Sequence, residues 1–281
     1  MVRWAFVAIS LPVLLACSSP DEMGDEIAAG QGESAQAALD RRLGEGAEPV
    51  EFKDEEARGE AARDFAYFWP AQVSAIEPFA AMLAQERDKA LAEQKAEWEQ
   101  SVAEFADAED GYQCITCVNR YYSKSWTVAA DTPRFLVMLG TTEVYTGGAH
   151  GNTDFDALMW DREANDGAGA AMRPVALFVD EVALENTAYG DYCQSLLEAR
   201  RDKLEIDITA MNKFDNCPSV SELVVLPLAS GGKRFDTIRF VAAPYVAGSY
   251  AEGPYEFEIA VNDLILSVVK PEYRGAFALA E

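Results

Sequence analysis

The chain has 281 residues, 49% of them hydrophobic and 25% charged, and a formal net charge of -25 at pH 7. Such an acidic surface repels nucleic acid and anionic lipid headgroups, so these composition figures exclude a nucleic-acid-binding function. The hydrophobic fraction is typical of a globular protein, and the length suffices for one large domain or two small ones.

The N-terminus has the pattern of a lipoprotein signal peptide. After Arg3, an apolar run extends from Trp4 to Leu15. It matches the hydrophobic region of a signal peptide and is too short for a membrane span, which needs roughly 20 residues. The run leads into the sequence LLAC, which resembles a lipobox ending at Cys17. We therefore predict that residues 1–16 are removed and that Cys17 carries acyl chains such as palmitate. The alternative is an ordinary secretory signal that contains a cysteine.

Residues 17–47 are predicted to form an acidic tether. This stretch is rich in Ser, Gly, Ala and Glu and has no aromatic residue. It cannot bury enough apolar surface to offset the entropy lost on ordering, so we expect a flexible linker. Ser18, not Asp, follows Cys17. By resemblance to the usual sorting rule, this favours the periplasmic face of the outer membrane.

Four further cysteines, Cys114, Cys117, Cys193 and Cys217, remain for other chemistry. An even number in an oxidising compartment indicates disulfides. We favour Cys114–Cys117 and Cys193–Cys217, because each pair is local in sequence. A redox CxxC and a four-cysteine zinc site are the alternatives. Zinc needs reduced thiolates, and a redox CxxC usually opens a helix, whereas a strand is predicted after Cys117. We therefore expect no metal and no cofactor.

The remaining pattern predicts strands interrupted by two long helices. The helices are Glu77–Ala106, with a stripe of Leu91, Trp98, Val102 and Phe105, and Asp180–Leu204, with Leu184, Leu196, Leu197 and Leu204 in the core. The strands are Glu60–Trp69, Tyr121–Ala129, Arg134–Tyr145, Thr153–Trp160, Glu222–Leu228, Thr237–Ala242 and Tyr255–Val261. The apolar run of residues 135–139 is typical of a strand buried on both faces. This order predicts an α+β fold with a largely antiparallel sheet.

A glycine-rich loop after the strand predicted at Arg134–Tyr145 carries the only histidine of the chain. In YTGGAHGN, residues 145–152, three glycines lie within five residues around His150. They indicate backbone geometry that a side chain would forbid, or a close approach by another segment. His150 is a candidate general base or ligand contact, and equally a structural residue that fixes the loop. The loop lacks the Lys-Ser/Thr of a phosphate-binding loop.

A second distinctive segment follows the strand at residues 237–242. It contains AAPYVAGSYAEGPY, residues 242–255, a Pro-Tyr kink followed by a loop rich in Gly and Tyr. Exposed loop tyrosines suit recognition, which makes Tyr245 and Tyr250 candidate binding residues together with Gly147, Gly148 and His150. The alternative is that Tyr245 and Tyr255 are core residues at a strand break.

These two segments resemble paired domains of two families of envelope proteins: the extracytoplasmic part of RsiV-type anti-sigma factors and the N-terminal, non-catalytic region of PdaC-type peptidoglycan deacetylases. The GGAHG motif carries most of the resemblance, which spans roughly residues 48–275. It implies two abutting α/β lobes, each covered by a long helix, with a PdaC-like lobe at 48–150 and an RsiV-like lobe at 151–281. It also implies contact with the cell wall or with lysozyme-like proteins.

The leading hypothesis is a cell-envelope lipoprotein with a non-catalytic binding domain, which recognises peptidoglycan or a cationic lysozyme-like protein. One alternative is a cell-wall hydrolase or deacetylase that uses His150 with Asp154 and Asp156. Another is a structural lipoprotein. A deacetylase metal site needs two histidines, and the chain has one.

Overall fold

The computed structural model describes residues 47–106, 115–204 and 217–280. The predicted signal peptide, Cys17 and nearly all of the tether lie outside these residues, as does Cys114. Among the helices of the described ranges, none has the length and apolar character that crossing a bilayer requires.

Nine strands and five α-helices, joined by short 3-10 turns, make up the described part. The strands are β1 (Val50–Arg58), β2 (Ala61–Trp69), β3 (Arg120–Asp131), β4 (Phe135–Tyr145), β5 (Asn152–Asp161), β6 (Ala170–Met172), β7 (Val224–Leu228), β8 (Thr237–Ala242) and β9 (Tyr255–Ala260). The helices are α1 (Ala71–Ser74), α2 (Glu77–Ala106), α3 (Ile115–Val118), α4 (Glu181–Leu204) and α5 (Asp263–Val268). Every predicted strand and both long helices are therefore present.

The strands form two sheets and confirm the predicted fold class. A six-stranded sheet has the order β1-β2-β3-β4-β5-β6, and a three-stranded sheet has the order β7-β8-β9. All neighbouring pairs are antiparallel except β2 and β3. That parallel pair needs a long crossover, and α2 lies in it. Each sheet packs against one long helix, as predicted.

Strand β1 is the one long element that the sequence pattern does not predict. Six of the nine residues in its sequence, VEFKDEEAR, are charged, and it forms the edge of the sheet. Asp54 and Glu56 are two residues apart and therefore point to the same face of the sheet. Both form ion pairs with Arg63 of β2. The Arg63 side chain is only 2% exposed. The acidity of β1 therefore compensates a buried cation.

Strand β4 separates the two main clusters of the core. Leu136 and Met138 pack in one cluster with Phe79 and Leu83 of α2. The alternate residues Phe135 and Val137 pack in the other, with the three-stranded sheet and α4. This confirms the prediction that residues 135–139 are buried on both faces.

The long helices bury most of the predicted residues. In α2, Trp98 is fully buried and Leu91 and Val102 are half-buried, while the side chain of Phe105 lies outside the described part. In α4, Leu184 and Leu196 are buried at helical spacing with Ala188 and Tyr192, whereas Leu197 and Leu204 are only half-buried. The prediction placed Leu197 and Leu204 in the core. Leu204 lies beyond the end of the buried stripe of α4, and Leu197 lies at its edge.

The division into lobes at residue 150 stays a prediction. In the structure this residue lies between β4 and β5, which pair from Phe135 with Asp161 to Val144 with Asn152. Residues on both sides of the division thus belong to one sheet and share one core cluster.

Candidate functional site

The glycine-rich loop joins β4 to β5 and has the backbone geometry that its composition predicts. Gly147 and Gly148 adopt φ values of 101° and 99°, a region that side chains disfavour. A Cβ atom on Gly151 would lie 2.8 Å from the carbonyl oxygen of Val144. The Tyr145 hydroxyl closes the loop by donating a hydrogen bond of 3.0 Å to the carbonyl oxygen of Gly148. The glycines thus permit a tight loop that leaves His150 exposed.

The two tyrosines that could have been core residues, Tyr245 and Tyr255, lie in different environments. Tyr245 has a φ of 72° and is 57% exposed. A left-handed conformation at a bulky residue costs on the order of 1–3 kcal/mol, and such strained residues cluster at functional sites. Tyr255, by contrast, is buried at 2% exposure. The core interpretation therefore holds for Tyr255 and is wrong for Tyr245.

Glu252 braces this loop from within. One carboxylate oxygen accepts a hydrogen bond of 2.8 Å from the backbone N–H of Ser249, and the other accepts one of 2.7 Å from the Tyr255 hydroxyl. Burial raises the pKa of Glu252, but these hydrogen bonds outweigh it and hold the pKa below 4.5. At neutral pH the Glu252 carboxylate is ionised and accepts both hydrogen bonds. Their stabilisation of the loop is lost as the pH falls through this lowered pKa.

The two loops meet in a stack of aromatic rings. The ring of His150 lies 3.8 Å from that of Tyr250, at an interplanar angle of 20°. The Tyr245 ring follows at 5.7 Å from Tyr250. We call these three residues the aromatic stack. The structure thereby brings together the predicted binding residues, with Gly147 and Gly148 shaping the loop that carries His150.

Among the described residues, no carboxylate is hydrogen-bonded to His150 as a general base would require. Its Nδ1 lies 2.7 Å from the carbonyl oxygen of Gly151, the next residue. Asp154 accepts a hydrogen bond from the backbone N–H of Phe155, and Asp156 forms an ion pair of 2.7 Å with Lys124. Within the described ranges, neither carboxylate is hydrogen-bonded to His150. The residues named for the hydrolase alternative are thus not assembled into a catalytic group.

Asp156 has a structural role, because its partner Lys124 links the six-stranded sheet to α2. The ammonium group of Lys124 also pairs with Glu86 of α2 at 2.7 Å and lies 4.7 Å from the Trp126 ring centre. Burial lowers the pKa of Lys124, but the two carboxylates more than offset it, so the pKa is raised above 10.5. Asp156 therefore neutralises a buried ammonium group.

The cysteine predictions have separate outcomes. Cys193 of α4 is bonded to Cys217, with a Cα–Cα distance of 5.6 Å, which confirms this pair. Cys117 is also in a disulfide. Its predicted pairing with Cys114 stays a prediction, because Cys114 lies outside the described residues. In residues 47–106, 115–204 and 217–280, no three His, Cys, Asp or Glu side chains cluster as metal ligands.

A cleft of about 320 Å³ lies beside the glycine-rich loop, between α2 and the adjoining ends of β3 and β4. Its lining includes Gln94 of α2, Arg120 and Tyr122 of β3, and Thr146 at the start of the loop. The sequence analysis had no signal for this cleft, since its residues come from three separate segments and form no local motif.

The fold is a mixed α/β fold in which two loops meet at the aromatic stack. No family model and no curated protein matches the chain. Solved structures that resemble it include those of two DUF3298 family proteins. That from Bacteroides fragilis NCTC 9343 is 14% identical, with a TM-score of 0.48 over 82% of this chain and 96% of the other. That from Pseudomonas aeruginosa PAO1 is 14% identical, with a TM-score of 0.42 over 82% and 97%.

These structural neighbours thus belong to an uncharacterised domain family, the type of domain that the sequence resemblance indicated. Similarity at this level carries no functional argument. The more specific resemblance to RsiV-type and PdaC-type proteins stays a prediction.

Proposed function

We propose that this protein is a non-catalytic recognition lipoprotein of the cell envelope, anchored through Cys17, which binds a basic, lysozyme-like protein at the aromatic stack. The observation that carries the proposal is the meeting of His150, Tyr245 and Tyr250 from two distant segments. Tyr245 is exposed and Tyr250 is half-buried, and tyrosines on braced loops offer a large contact area at a small entropic cost.

Charge supports a basic partner. The net charge of -25 attracts cationic proteins over long distances and speeds their association. At close range, the faces of exposed tyrosine rings attract Lys and Arg side chains. A basic protein would therefore be favoured both by the overall field of the molecule and by the stack itself.

Peptidoglycan is the second candidate ligand, and the shape of the stack favours it. Flat, exposed rings also pack against the apolar faces of sugars. Packing on the sugar rings involves no charge, and the peptide carboxylates of peptidoglycan are repelled by the acidic protein, so this binding would not weaken as salt rises. Binding of a basic protein would weaken as salt screens the attraction. Salt dependence therefore separates the two ligands.

The Tyr250→Ala variant tests the stack. We expect full-length mature protein to bind hen lysozyme at low salt, and the variant to bind at least tenfold more weakly, because central aromatic residues contribute about 2 kcal/mol or more. Titration calorimetry at low and high salt, with a parallel pull-down on peptidoglycan sacculi, gives the comparison.

Tyr189→Ala is the matched control, since Tyr189 is also an exposed tyrosine, 43% accessible, but lies on α4. It should bind like the wild type. Lysozyme that fails to bind at low salt would contradict the basic partner, and salt-independent retention on sacculi would then establish the second candidate. Failure of both ligands would contradict recognition by the stack.

The anchor is tested separately by Cys17→Ser. We expect the wild-type protein to fractionate with membranes and to carry a diacylglycerol-modified N-terminus at Cys17 in mass spectrometry. The variant should lose the lipid and leave the membrane fraction. A wild-type protein that is cleaved elsewhere, or is unlipidated, would refute the anchor and leave the binding proposal standing.

A further inference from the structure

The cleft between α2 and β3–β4 contains a buried amide group with an unused acceptor. Gln94 is 7% exposed, and its Nε2 donates a hydrogen bond of 2.7 Å to the carbonyl oxygen of Asp64. Because a carbonyl oxygen only accepts, this contact fixes the orientation of the amide group. The other atom, Oε1, is buried and has no hydrogen-bond partner among the described residues. A buried acceptor of this kind normally has a partner.

Arg120 offers an unused donor in the same cleft. Its NH1 donates to the carbonyl oxygens of Cys117 and Asn119, at 2.8 and 2.9 Å, and its NH2 donates to the Ser101 hydroxyl. The remaining Nε–H is buried and has no partner in the described ranges. The guanidinium group is therefore held rigidly by neutral oxygens while its Nε–H remains available.

The charges around the cleft favour a neutral occupant. The guanidinium group of Arg120 is paired with none of the carboxylates in the described part, so it repels a cation. Glu93 and Glu97, exposed at the edge of the cleft, repel an anion. Tyr122 adds an aromatic surface, since its ring is stacked on Phe65 at 4.9 Å and also lines the cleft.

We infer that this cleft binds a neutral molecule of sugar size that carries an amide or vicinal hydroxyl groups. Such a ligand donates to Gln94 Oε1, accepts from Arg120 Nε and packs on Tyr122. The cleft volume of about 320 Å³ suits a ligand of this size. This site is distinct from the aromatic stack, and the inference does not depend on the proposed function.

The test is titration of full-length mature protein with N-acetylglucosamine, observed as chemical-shift changes in NMR spectra. We expect millimolar binding, weaker binding of glucose, which lacks the amide, and no binding of cationic glucosamine. Gln94→Leu, which removes the acceptor, should weaken binding about tenfold. Arg120→Lys, which keeps the charge and removes the Nε–H donor, should also weaken it.

Thr146→Trp provides a variant that does not disturb the core, because Thr146 is exposed at the cleft. The new ring should block the cleft and abolish binding, whereas Thr127→Trp, at an exposed position of β3 away from the cleft, should bind normally. The inference is overturned if none of the neutral sugars binds, if glucosamine binds best, or if Thr146→Trp and Gln94→Leu bind like the wild type. Loss of lysozyme binding alone would leave it intact.

Discussion

Replacing Phe135 by alanine is expected to lower the free energy of unfolding by about 3–5 kcal/mol, the usual cost of removing a fully buried phenylalanine. Phe135 is 0% exposed. Its ring lies 5.7 Å from that of Phe235 and 6.1 Å from that of Tyr273, both in the C-terminal part of the chain. The variant would leave a cavity where β4 meets the second core cluster.

Chemical denaturation followed by two probes measures this effect. The described tryptophans, Trp69, Trp98, Trp126 and Trp160, all lie in α2 or the six-stranded sheet. Tryptophan fluorescence therefore reports on that sheet, and far-UV circular dichroism reports on all elements, including α4. If the two sheets share one cooperative core, the variant shifts both transitions together.

Leu264→Ala is the control, because Leu264 is 64% exposed and its truncation should change stability by less than about 0.5 kcal/mol. Two transitions that separate, with only one of them shifted by Phe135→Ala, would contradict a shared core. They would instead show that the two sheets unfold independently.

Removing the disulfide between Cys193 and Cys217 is expected to cost about 3–4 kcal/mol. The bond joins residues 24 positions apart, so it restricts a substantial loop in the unfolded chain. The appropriate variant is the double substitution Cys193→Ala and Cys217→Ala. Its stability follows from denaturation in guanidinium chloride, where a more expanded unfolded state should also increase the slope of the transition.

The double variant is needed because Cys117 is disulfide-bonded as well, so a reductant acts on more than one bond. Comparing the variant with and without reductant isolates the contribution of the Cys117 bond. A double variant within about 1 kcal/mol of the wild type would show that the loop between α4 and β7 is already restricted without the bond.

Much of the fold follows from local sequence patterns because the physical causes are local. The apolar run of residues 135–139 leaves no polar face for solvent, so burial on both sides follows directly. The helix over residues 77–106 has helix-forming residues throughout and a proline in its first turn, and its predicted and observed limits agree. Strand β1 fails this kind of prediction, since its acidic residues pair with cations from other elements, Arg63 of the neighbouring strand and Lys95 of α2.

The sequence predicted one part of the candidate site, the geometry of the glycine-rich loop, but not the other part, the burial of the tyrosines. The glycines around His150 predict a constrained loop, and the loop has that geometry, because a positive φ is a property of the residue itself. The choice between core and surface for Tyr245 and Tyr255 was open in the sequence. It depends on where each ring lies after β8 and β9 have paired, which is not a local property.

The amino-acid sequence by itself therefore predicted seven of the nine described strands, both long helices, the disulfide at Cys193 and the geometry of the glycine-rich loop, because these features depend mainly on residues close along the chain. Only the tertiary structure decided that His150 stacks on Tyr250, and that Gln94 and Arg120 line one cleft. These contacts join residues from distant segments, and chain folding creates them only when the sheets and helices have packed.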